Sequence, residues 1–256
     1  MAKRSACPFR GLLRLGLLLL FVAGGHVAKA EPLQVGAEDD WYPYTAWRDG
    51  RIQGMSADIV RAAFAAVGED VELVPYPYAR CMQLAQSGRL AACFNTAPNA
   101  EIERDYLLPR HPLFRDDILL WAPSYRATPV TDLGQLAGRR VAVTVGYEYG
   151  ETFDRLADVV RVTVRKDISG FLMLQHDRVD YVAAYRGTTE ALVRDNPELR
   201  GLFTAVATLH RPELYLSFSR QHPGAPALLQ RFDEGMAIIQ GNGRYRAILS
   251  QWGVGG

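Results

Sequence analysis

The sequence lacks the features of several protein classes. Beyond its first 30 residues it has no apolar run that approaches the length of about 20 residues needed to span a bilayer. It has no Gly-x-Ser-x-Gly nucleophile motif, and its histidines are scattered without the spacing of metal ligands. No repeat or low-complexity tract interrupts it. These absences argue against a membrane-spanning protein and give no support for hydrolase or metal chemistry, so we expect neither a metal nor another cofactor.

The first 30 residues are typical of a secretory signal peptide. Basic residues flank an apolar run from Leu12 to Ala23, and Ala28-Lys29-Ala30 places small residues where signal peptidase cleaves. Cys7 precedes this run, so we do not expect lipid attachment. An uncleaved N-terminal anchor is the alternative. We predict cleavage before Glu31 and a soluble protein in the periplasm.

Charge excludes two kinds of partner. Residues 1–30 contain five of the 29 Lys and Arg residues and no acidic residue, which leaves 24 basic against 28 acidic side chains, or a net charge of −4. A protein that binds nucleic acid or an anionic membrane surface is expected to be basic. The remaining 226 residues suffice for one large domain or two smaller ones.

Two cysteines remain after cleavage, Cys81 and Cys93. An oxidising compartment and an even count permit a disulfide. Cys81 lies early in a predicted helix, and Cys93 lies late in the strand that returns after Gly88. We predict a bridge between them, and two free buried thiols are the alternative.

Helical and strand patterns alternate along the chain. The first predicted strand, residues 33–37, leads into a loop rich in aromatic and acidic residues, which Pro43 keeps from being helical. Ser56 is expected to cap a helix that ends near Gly68, and a strand over 71–74 follows. The alternation restarts after residue 117. It predicts an α/β protein with mostly parallel sheets in two lobes.

A series of short motifs in order supports this organisation: Val35-Gly36, Asp40-Trp-Tyr-Pro-Tyr44, Asp49-Gly50, Gly54-Met-Ser-Ala-Asp58, Gly88-Arg-Leu, Glu103-Arg104, Asp132-Leu-Gly-Gln-Leu-Ala-Gly-Arg-Arg-Val141, Gly146, Asp180 and Gly241-Asn-Gly243. Together they resemble family 3 of the extracellular solute-binding proteins, the periplasmic receptors of amino-acid-type ABC importers. The resemblance implies a two-lobed periplasmic-binding-protein type II fold with a two-strand hinge. It also implies lobe boundaries at 31–116 plus 211–256 for lobe one and 117–210 for lobe two.

The resemblance also indicates ligand-binding residues in lobe one. Family members place an aromatic pair from the first loop against the ligand, and the corresponding residues are Trp41 and Tyr44. Either ring has the alternative of a purely core role. Tyr78 is expected in the wall of the site. Arg80 stands at a helix start, where the dipole disfavours a cation, which predicts either a role in the cleft or a surface salt bridge.

Amino-acid receptors of this family clamp the ligand carboxylate with an arginine that follows a strand end. Arg104 is the nearest candidate, although the register fits only if the loop has shifted. Asn95 and Thr96, at the strand end itself, are predicted neutral hydrogen-bond partners.

Lobe two departs from the family pattern. Glu148, after Gly146 and Tyr147, occupies the place where the family holds the carboxylate, and Tyr185 occupies the place of the acid that binds the amino group. Losing that acid costs about 1.5 to 3 kcal/mol of ammonium binding. The surplus of aromatic residues instead predicts a small aromatic or amphipathic guest.

We therefore predict a monomeric, non-enzymatic solute-binding protein. It is expected to enclose a small polar or aromatic amino-acid-like molecule and deliver it to an ABC permease of the inner membrane. One alternative is an enzyme on the same scaffold, resembling cyclohexadienyl dehydratases, with Glu38 or Glu148 as general acid. The other is a sensor that presents its ligand-bound form to a membrane receptor, since both uses need the same hinge closure.

Overall fold

The computed structural model describes residues 33–253. The predicted signal peptide, residues 1–30, lies outside this range. No helix between residues 33 and 253 is long and apolar enough to cross a membrane. Within the described residues the chain forms fourteen strands, eight α-helices and three short 3-10 segments.

The strands, in chain order, are β1 (Leu33–Glu38), β2 (Asp40–Trp41), β3 (Thr45–Arg48), β4 (Arg51–Gln53), β5 (Val71–Tyr76), β6 (Ala92–Thr96), β7 (Tyr106–Leu107), β8 (Phe114–Arg115), β9 (Ile118–Pro123), β10 (Arg140–Thr144), β11 (Val160–Val164), β12 (Tyr181–Tyr185), β13 (Phe203–His210) and β14 (Glu213–Ser219). The helices are α1 (Met55–Ala66), α2 (Tyr78–Gln86), α3 (Ala100–Asp105), α4 (Glu151–Asp154), α5 (Asp167–Gln175), α6 (Arg186–Asp195), α7 (Ala225–Gly241) and α8 (Arg244–Gln251). The 3-10 segments are Ser124–Arg126, Leu133–Leu136 and Pro197–Leu199.

Most of the strands belong to two main sheets. The first has the order β5-β1-β6-β14-β7, with β8 also paired to β14, and the second has the order β11-β10-β12-β9-β13. We call the first sheet with α1–α3, α7 and α8 lobe one, and the second sheet with α4–α6 lobe two. A small three-stranded sheet, β2-β3-β4, belongs to lobe one. Strands β1, β5 and β6 are parallel, as are β10, β11 and β12, which is the expected product of βαβ units.

The chain passes between the lobes twice. It leaves the first sheet after β8 and enters the second at β9, and it returns from β13 to β14. Because β8 pairs antiparallel with β14 and β9 pairs antiparallel with β13, the two passages run side by side. This arrangement confirms the predicted fold class, two α/β lobes with a two-strand hinge.

One apolar face of helix α1 forms part of the core of lobe one, as its helical periodicity predicts. Ile59, Val60, Ala63 and Phe64 recur at the spacing of one helix face and are fully buried, as predicted for α1. Helix α7 packs against this face at close range, because a Cβ at Gly235 would lie 2.0 Å from the carbonyl oxygen of Ala63. Glycine therefore permits the contact between these two helices.

The start of α1 differs from the prediction. Ser56 is not the N-cap but lies inside the helix, which begins at Met55 after Gly54. Gly54 has a φ of 134°, and a Cβ there would lie 2.2 Å from the carbonyl oxygen of Tyr44. The Ser56 hydroxyl donates to that same carbonyl over 2.7 Å. Ser56 thus ties α1 to the aromatic loop.

Cys81 of α2 and Cys93 of β6 form a disulfide, with their Cα atoms 5.9 Å apart. Both residues are fully buried. The helix-turn-strand hairpin that brings them together turns at Gly88, whose φ is 75°. The alternative of two free thiols does not describe this structure.

Candidate functional site

The candidate site lies where strand ends of both lobes meet. In parallel sheets, residues that follow the carboxyl ends of the strands gather at one edge, and that edge carries the ligand site of open α/β proteins. Glu38 ends β1, Asn95 and Thr96 end β6, and Tyr185 ends β12. Tyr147 follows the end of β10. The predicted residues from distant parts of the chain are thus brought together by the sheet topology.

Seven rings fill the space between the lobes, and we call them the aromatic cluster: Trp41, Tyr44, Tyr78, Phe114, Tyr147, Tyr149 and Tyr185. Trp41 lies at its centre and is only 2% exposed. The Trp41 ring centroid is 4.6 Å from that of Tyr44 in its own lobe and 4.8 Å from that of Tyr185 in the other lobe. The structure thus brings the predicted rings Trp41, Tyr44 and Tyr185 into contact, and their role in binding a ligand stays a prediction.

Four of the eight ring pairs in the cluster meet edge to face. Trp41 and Tyr185 are inclined by 79°, and Tyr78 and Tyr147 by 86° with centroids 5.2 Å apart. Tyr44 stacks instead on Phe114, at 4.4 Å and 28°. Edge-to-face and offset pairs are the favourable geometries of rings, and each contributes about 0.5 to 1.5 kcal/mol. Ring faces that are not covered by a neighbouring ring are available to a cation or to another ring.

Two hydroxyl-carboxylate bonds cross between the lobes. The hydroxyl of Tyr78, in lobe one, donates to both carboxylate oxygens of Glu148, in lobe two, at 2.9 and 3.0 Å. In the opposite sense, the hydroxyl of Tyr147, in lobe two, donates to Glu38, in lobe one. Because the Tyr78 and Tyr147 rings are in contact, both carboxylates are hydrogen-bonded to one ring pair.

Burial raises the pKa of the acids in the cleft. It raises the pKa of Glu38 well above its ordinary value, that of Glu148 to about 8 and that of Asp167 to about 6. The physical cause is desolvation of the charged form. Asp167 accepts a hydrogen bond of 2.6 Å from the Thr144 hydroxyl, which acts against this rise. Within residues 33–253, no lysine or arginine nitrogen lies within 4 Å of these three carboxylates.

A fourth acid, Asp116, lies at the hinge. It accepts hydrogen bonds from the Tyr44 hydroxyl, at 2.7 Å, and from the backbone N–H of Gly187, at 3.1 Å. Burial raises the pKa of Asp116, and the two hydrogen bonds oppose that rise. Asp116 therefore links the aromatic loop of lobe one to the start of α6 in lobe two.

Charged pairs are found at the rim of the cleft. Lys166 pairs with Asp40 at 2.6 Å, and Arg48 pairs with Asp195 at 3.2 Å, each across the two lobes. All four side chains are substantially exposed, so each pair contributes at most about 1 kcal/mol. Lys166 and Arg48 are thus paired with acids at the rim, outside the aromatic cluster.

Two buried polar side chains in the site have no hydrogen-bond partner in the described structure. They are the indole N–H of Trp41 and the side-chain amide of Asn95, both at least 95% buried. Asn95 has a φ of 75° at the end of β6, close to the point where the backbone of Ala97 faces Glu148. Buried polar atoms without partners are rare, because each costs about 1 to 3 kcal/mol. Trp41 also lines a cavity beside the cluster, whereas Asn95 lines none of those described below.

The structure does not bring every predicted residue to the cleft. Arg80 is exposed on α2, and within the described residues it forms neither a cleft contact nor the surface salt bridge considered as its alternative. Arg104 is also exposed. Its guanidinium donates to the carboxylate of Asp105 over 2.7 Å, on the surface of α3. Thr96 is fully buried, but its hydroxyl is directed at the sulfur of Met82 inside lobe one. Neither arginine is placed to clamp an anion.

Sequence reasoning overlooked other residues of the site. Asp167 starts α5 and lies three residues after Val164, the last residue of β11, so its place after a parallel strand was a usable signal. Asp116 lies at the hinge, between β8 and β9, and Phe114 precedes it. No local sequence pattern indicates a role for Asp116 or Phe114. Their contacts depend on how the two passages run side by side.

Three cavities open beside the cluster. One, of about 390 Å³, is lined by Glu38, Tyr78 and Tyr147 and by the exposed Arg165 and Lys166. Another, of about 290 Å³, is lined by Trp41 and Asp167 among others. The third, of about 410 Å³, is lined by Tyr147 and Glu148 among others. Binding sites for small molecules are typically about 300 to 1,000 Å³ in volume. The space therefore suits a small solute.

Comparisons with known proteins agree with this geometry. The family model of the bacterial extracellular solute-binding proteins, family 3, matches residues 33–115. A histidine kinase sensor domain with similarity to periplasmic binding proteins superposes with a TM-score of 0.76 at 22% identity, over 87% of this chain and 96% of that chain. Comparison with curated proteins gives no match.

Two solved amino-acid-binding proteins have a similar structure. The arginine-, lysine-, histidine-binding protein ArtJ from Geobacillus stearothermophilus gives a TM-score of 0.75 at 18% identity, over 87% of this chain and 95% of that chain. A mutant of ArgBP from T. maritima gives 0.74 at 17% identity, over 86% and 94%. At such identities the likeness shows the fold. The chain thus has the fold of the periplasmic binding proteins, and its residues 33–115 confirm the predicted resemblance to family 3 of the extracellular solute-binding proteins.

Proposed function

We propose that this protein binds one small amino-acid-like solute in the cleft between its lobes. The observation that carries the proposal is the aromatic cluster, to which both lobes contribute and whose central residue, Trp41, has a buried N–H without a partner. Rings offer a large contact area at little cost in rotamer entropy. The proposal includes lobe boundaries at 31–116 plus 211–256 and 117–210, and export to the periplasm by the N-terminal 30 residues.

Ligand binding and lobe closure are coupled in this proposal. The two side-by-side passages at Asp116 and Asp117 and at Arg211 and Pro212 are short enough to act as a hinge. A solute that contacts Trp41 in lobe one and Tyr185 in lobe two interacts fully only in the closed state. Such differential contact is what shifts the equilibrium toward closure.

A thermal-shift screen tests the binding function. The library contains amino acids, amines and aromatic acids. A ligand at 100 times its Kd stabilises the protein by about 2.7 kcal/mol, which raises the melting temperature measurably. A flat response across the whole library would contradict the proposed function.

We further propose that the closed form serves an ABC importer through a permease of the inner membrane, with the protein acting as a monomer. Uptake of the labelled solute by cells that carry or lack the gene tests this step. Equal uptake by both strains would contradict transport.

The similarity to a histidine kinase sensor domain favours, as a second candidate, a receptor that signals through a membrane partner. In that case loss of the gene abolishes a transcriptional response to the solute and leaves uptake unchanged.

One observation favours an enzyme as a further candidate. Burial raises the pKa of Glu148 to about 8, so this carboxyl group carries a proton at neutral pH and can act as a general acid. The acids Glu38 and Asp167 in the same cleft oppose the binding of an anionic substrate such as prephenate. Incubation with prephenate or arogenate, followed by detection of the aromatic product, tests this candidate. The binding function predicts no turnover.

A further inference from the structure

Two carboxyl groups of the cleft are each bonded to a tyrosine of the opposite lobe. Glu38, at the end of β1 in lobe one, accepts a hydrogen bond from the Tyr147 hydroxyl of lobe two. Glu148, after β10 in lobe two, accepts hydrogen bonds of 2.9 and 3.0 Å from the Tyr78 hydroxyl of lobe one. Each carboxyl is therefore covered by the lobe to which it does not belong. Separation of the lobes would remove this cover and admit water to both groups.

Glu148 is held by hydrogen bonds rather than by an ion pair. The Tyr78 hydroxyl and the backbone of Ala97, both in lobe one, bond to its carboxyl, and Asp154 of α4 adds a negative charge. The other titratable side chains that act on it or line its cavity of about 410 Å³ are Glu101, Asp105, Tyr106 and Tyr185. Asp105 is paired with the exposed Arg104. Among the described residues, no lysine or arginine lines this cavity.

Glu38 is 5% exposed and lies near both acids and cations. Besides the Tyr147 hydroxyl, the titratable groups that face it are Asp39, Asp40, Asp167 and Tyr185. The cations Arg165 and Lys166 of lobe two line the cavity beside it, and both are exposed. Lys166 pairs with Asp40 at 2.6 Å, and within residues 33–253 neither cation forms an ion pair with Glu38.

Desolvation is the largest effect on both carboxyls. It raises the pKa of Glu148 to about 8 and that of Glu38 well above its ordinary value, although the tyrosine hydroxyls act in the opposite direction. In separated lobes, water would replace the tyrosines and solvate the carboxylates, so the pKa of each group would return toward its ordinary value of 4.5. The lobes in contact therefore bind more protons at neutral pH than the separated lobes do.

We propose that closure of the lobes is coupled to protonation of Glu38 and Glu148, an inference that rests on the hinged lobes of the proposed function. Closure takes up protons, because each neutral carboxyl is covered by a tyrosine of the other lobe. Opening releases those protons to water. Each proton that only the closed form holds lowers the equilibrium constant for closure by up to about tenfold for every unit of rising pH. The cleft thus closes in acid and opens as the pH rises.

Small-angle X-ray scattering of the purified, ligand-free protein tests the coupling. A series at constant ionic strength runs from about pH 5 to about pH 9, across the range in which the two carboxyls change protonation between the closed and open forms. We expect the radius of gyration to increase with pH. Far-UV circular dichroism at each pH verifies that the protein remains folded. A constant radius over the whole series would overturn the proposal.

A variant with Glu38→Gln and Glu148→Gln identifies the groups responsible. Each amide keeps an oxygen that accepts the tyrosine hydroxyl but cannot ionise, so we expect this variant to stay compact at every pH. Glu103→Gln, at an exposed position on α3, is the matched control and should follow the wild type. His210, which acts on Asp154, remains in both proteins. A double variant that opens with pH as the wild type does would overturn the assignment to these carboxyls.

The single variants carry the test if circular dichroism shows that the double variant does not fold. Glu38→Gln and Glu148→Gln each keep one titrating carboxyl, so each should open less steeply with pH than the wild type. Two single variants with the profile of the wild type would overturn the assignment as well.

Failure of the coupling and failure of the proposed function give different results. A constant radius of the wild type, together with a ligand found in the thermal-shift library, overturns the coupling and leaves the binding function standing. A flat library together with a radius that increases with pH contradicts the binding function and supports the coupling.

Discussion

Trp41 is the residue on which the candidate site depends most. It is almost completely buried, contacts rings of both lobes and leaves its indole N–H without a partner. A buried donor without a partner costs about 1 to 3 kcal/mol, which a ligand acceptor would recover on binding. Trp41 is therefore a packed core ring, and the proposed function adds to it a role in binding the solute.

Replacing Trp41 by Phe keeps an aromatic ring but removes the N–H and part of the ring area. We expect the protein to remain folded and its affinity for the ligand to fall roughly tenfold, or about 1.4 kcal/mol. Titration calorimetry measures this change. Trp121→Phe is the matched control, because Trp121 lies in β9 and its N–H bonds the carbonyl of Ala184 within lobe two. Equal losses in the two variants would contradict a specific role for Trp41.

The protonation of Glu148 leads to a prediction on pH. Tyr78, the backbone of Ala97 and Asp154 face this carboxyl, and burial raises its pKa from 4.5 to about 8. A group whose pKa is higher in the folded protein adds stability below its unfolded pKa, and this contribution is lost as the pH rises to the folded value. We therefore expect the melting temperature of the ligand-free protein to fall between about pH 5 and about pH 8.

Glu148→Gln should make that decline shallower, since the amide does not titrate. Thermal unfolding at several pH values measures the slope for both proteins. The exposed Glu103→Gln control should keep the slope of the wild type. A Glu148→Gln protein with an unchanged slope would show that the carboxyl does not titrate in this range.

At the scale of elements, the disulfide fastens α2 to β6 next to the cleft. Cys81 and Cys93 are 12 residues apart in sequence, and a loop of this length restricts the unfolded chain by about 3 kcal/mol in the chain-entropy model. The bridge also packs closely on β1, because a Cβ at Gly36 would lie 2.5 Å from the Cys81 sulfur. The elements that carry Tyr78 and Asn95 are thus joined covalently.

Replacing both cysteines by serine should lower the free energy of unfolding by about 2 to 4 kcal/mol. Urea unfolding of the double variant and the wild type gives this difference. Wild type unfolded in the presence of a reductant serves as control and should lose a similar amount. A difference near zero would contradict the stabilising role of the bridge.

The helices, strands and disulfide could be predicted because their signals are local. The spacing of Ile59, Ala63 and Phe64 sets one face of α1, and the even cysteine count in a chain that is predicted to be exported indicates a bridge. The orientation of side chains across the cleft has no such signal. Arg104 was expected near the ligand, but its neighbour Asp105 holds it on the surface of α3.

The hydrogen-bond partners of the predicted rings could likewise not be predicted from the sequence. Tyr147 and Glu38 are 109 residues apart, and Tyr78 and Glu148 are 70 apart. Each pair exists only because the two lobes face each other. Residue type and strand-end position indicated that these side chains belong to one site, whereas their pairing required the relative position of the two sheets.

At the scale of the whole molecule, the two lobes of residues 33–253 are in contact across the cleft. The buried contacts between them include the rings of Trp41 and Tyr185 and the hydrogen bonds from Tyr78 to Glu148 and from Tyr147 to Glu38. The ion pairs at the rim are exposed and weakened by salt. When no solute is bound, the balance between open and closed forms should therefore depend on the ring contacts and on the two tyrosine hydroxyls.

A double variant, Tyr78→Phe with Tyr147→Phe, removes both hydroxyls and keeps the rings. We expect its ligand-free form to be more open, with a larger radius of gyration in small-angle X-ray scattering than the wild type. Tyr106→Phe is the matched control, because that hydroxyl bonds the carbonyl of Met82 inside lobe one. If the double variant and the wild type scatter identically, the two bonds do not hold the lobes together.

The proposed function requires both lobes to enclose one small solute by means of the aromatic cluster. A crystal structure of the protein grown with the compound that gives the largest thermal shift tests it most directly. We expect a single molecule between the lobes, in contact with Trp41 of lobe one and with Tyr147 or Tyr185 of lobe two. A solute bound outside the cleft, with the rings packed on one another as before, would contradict it.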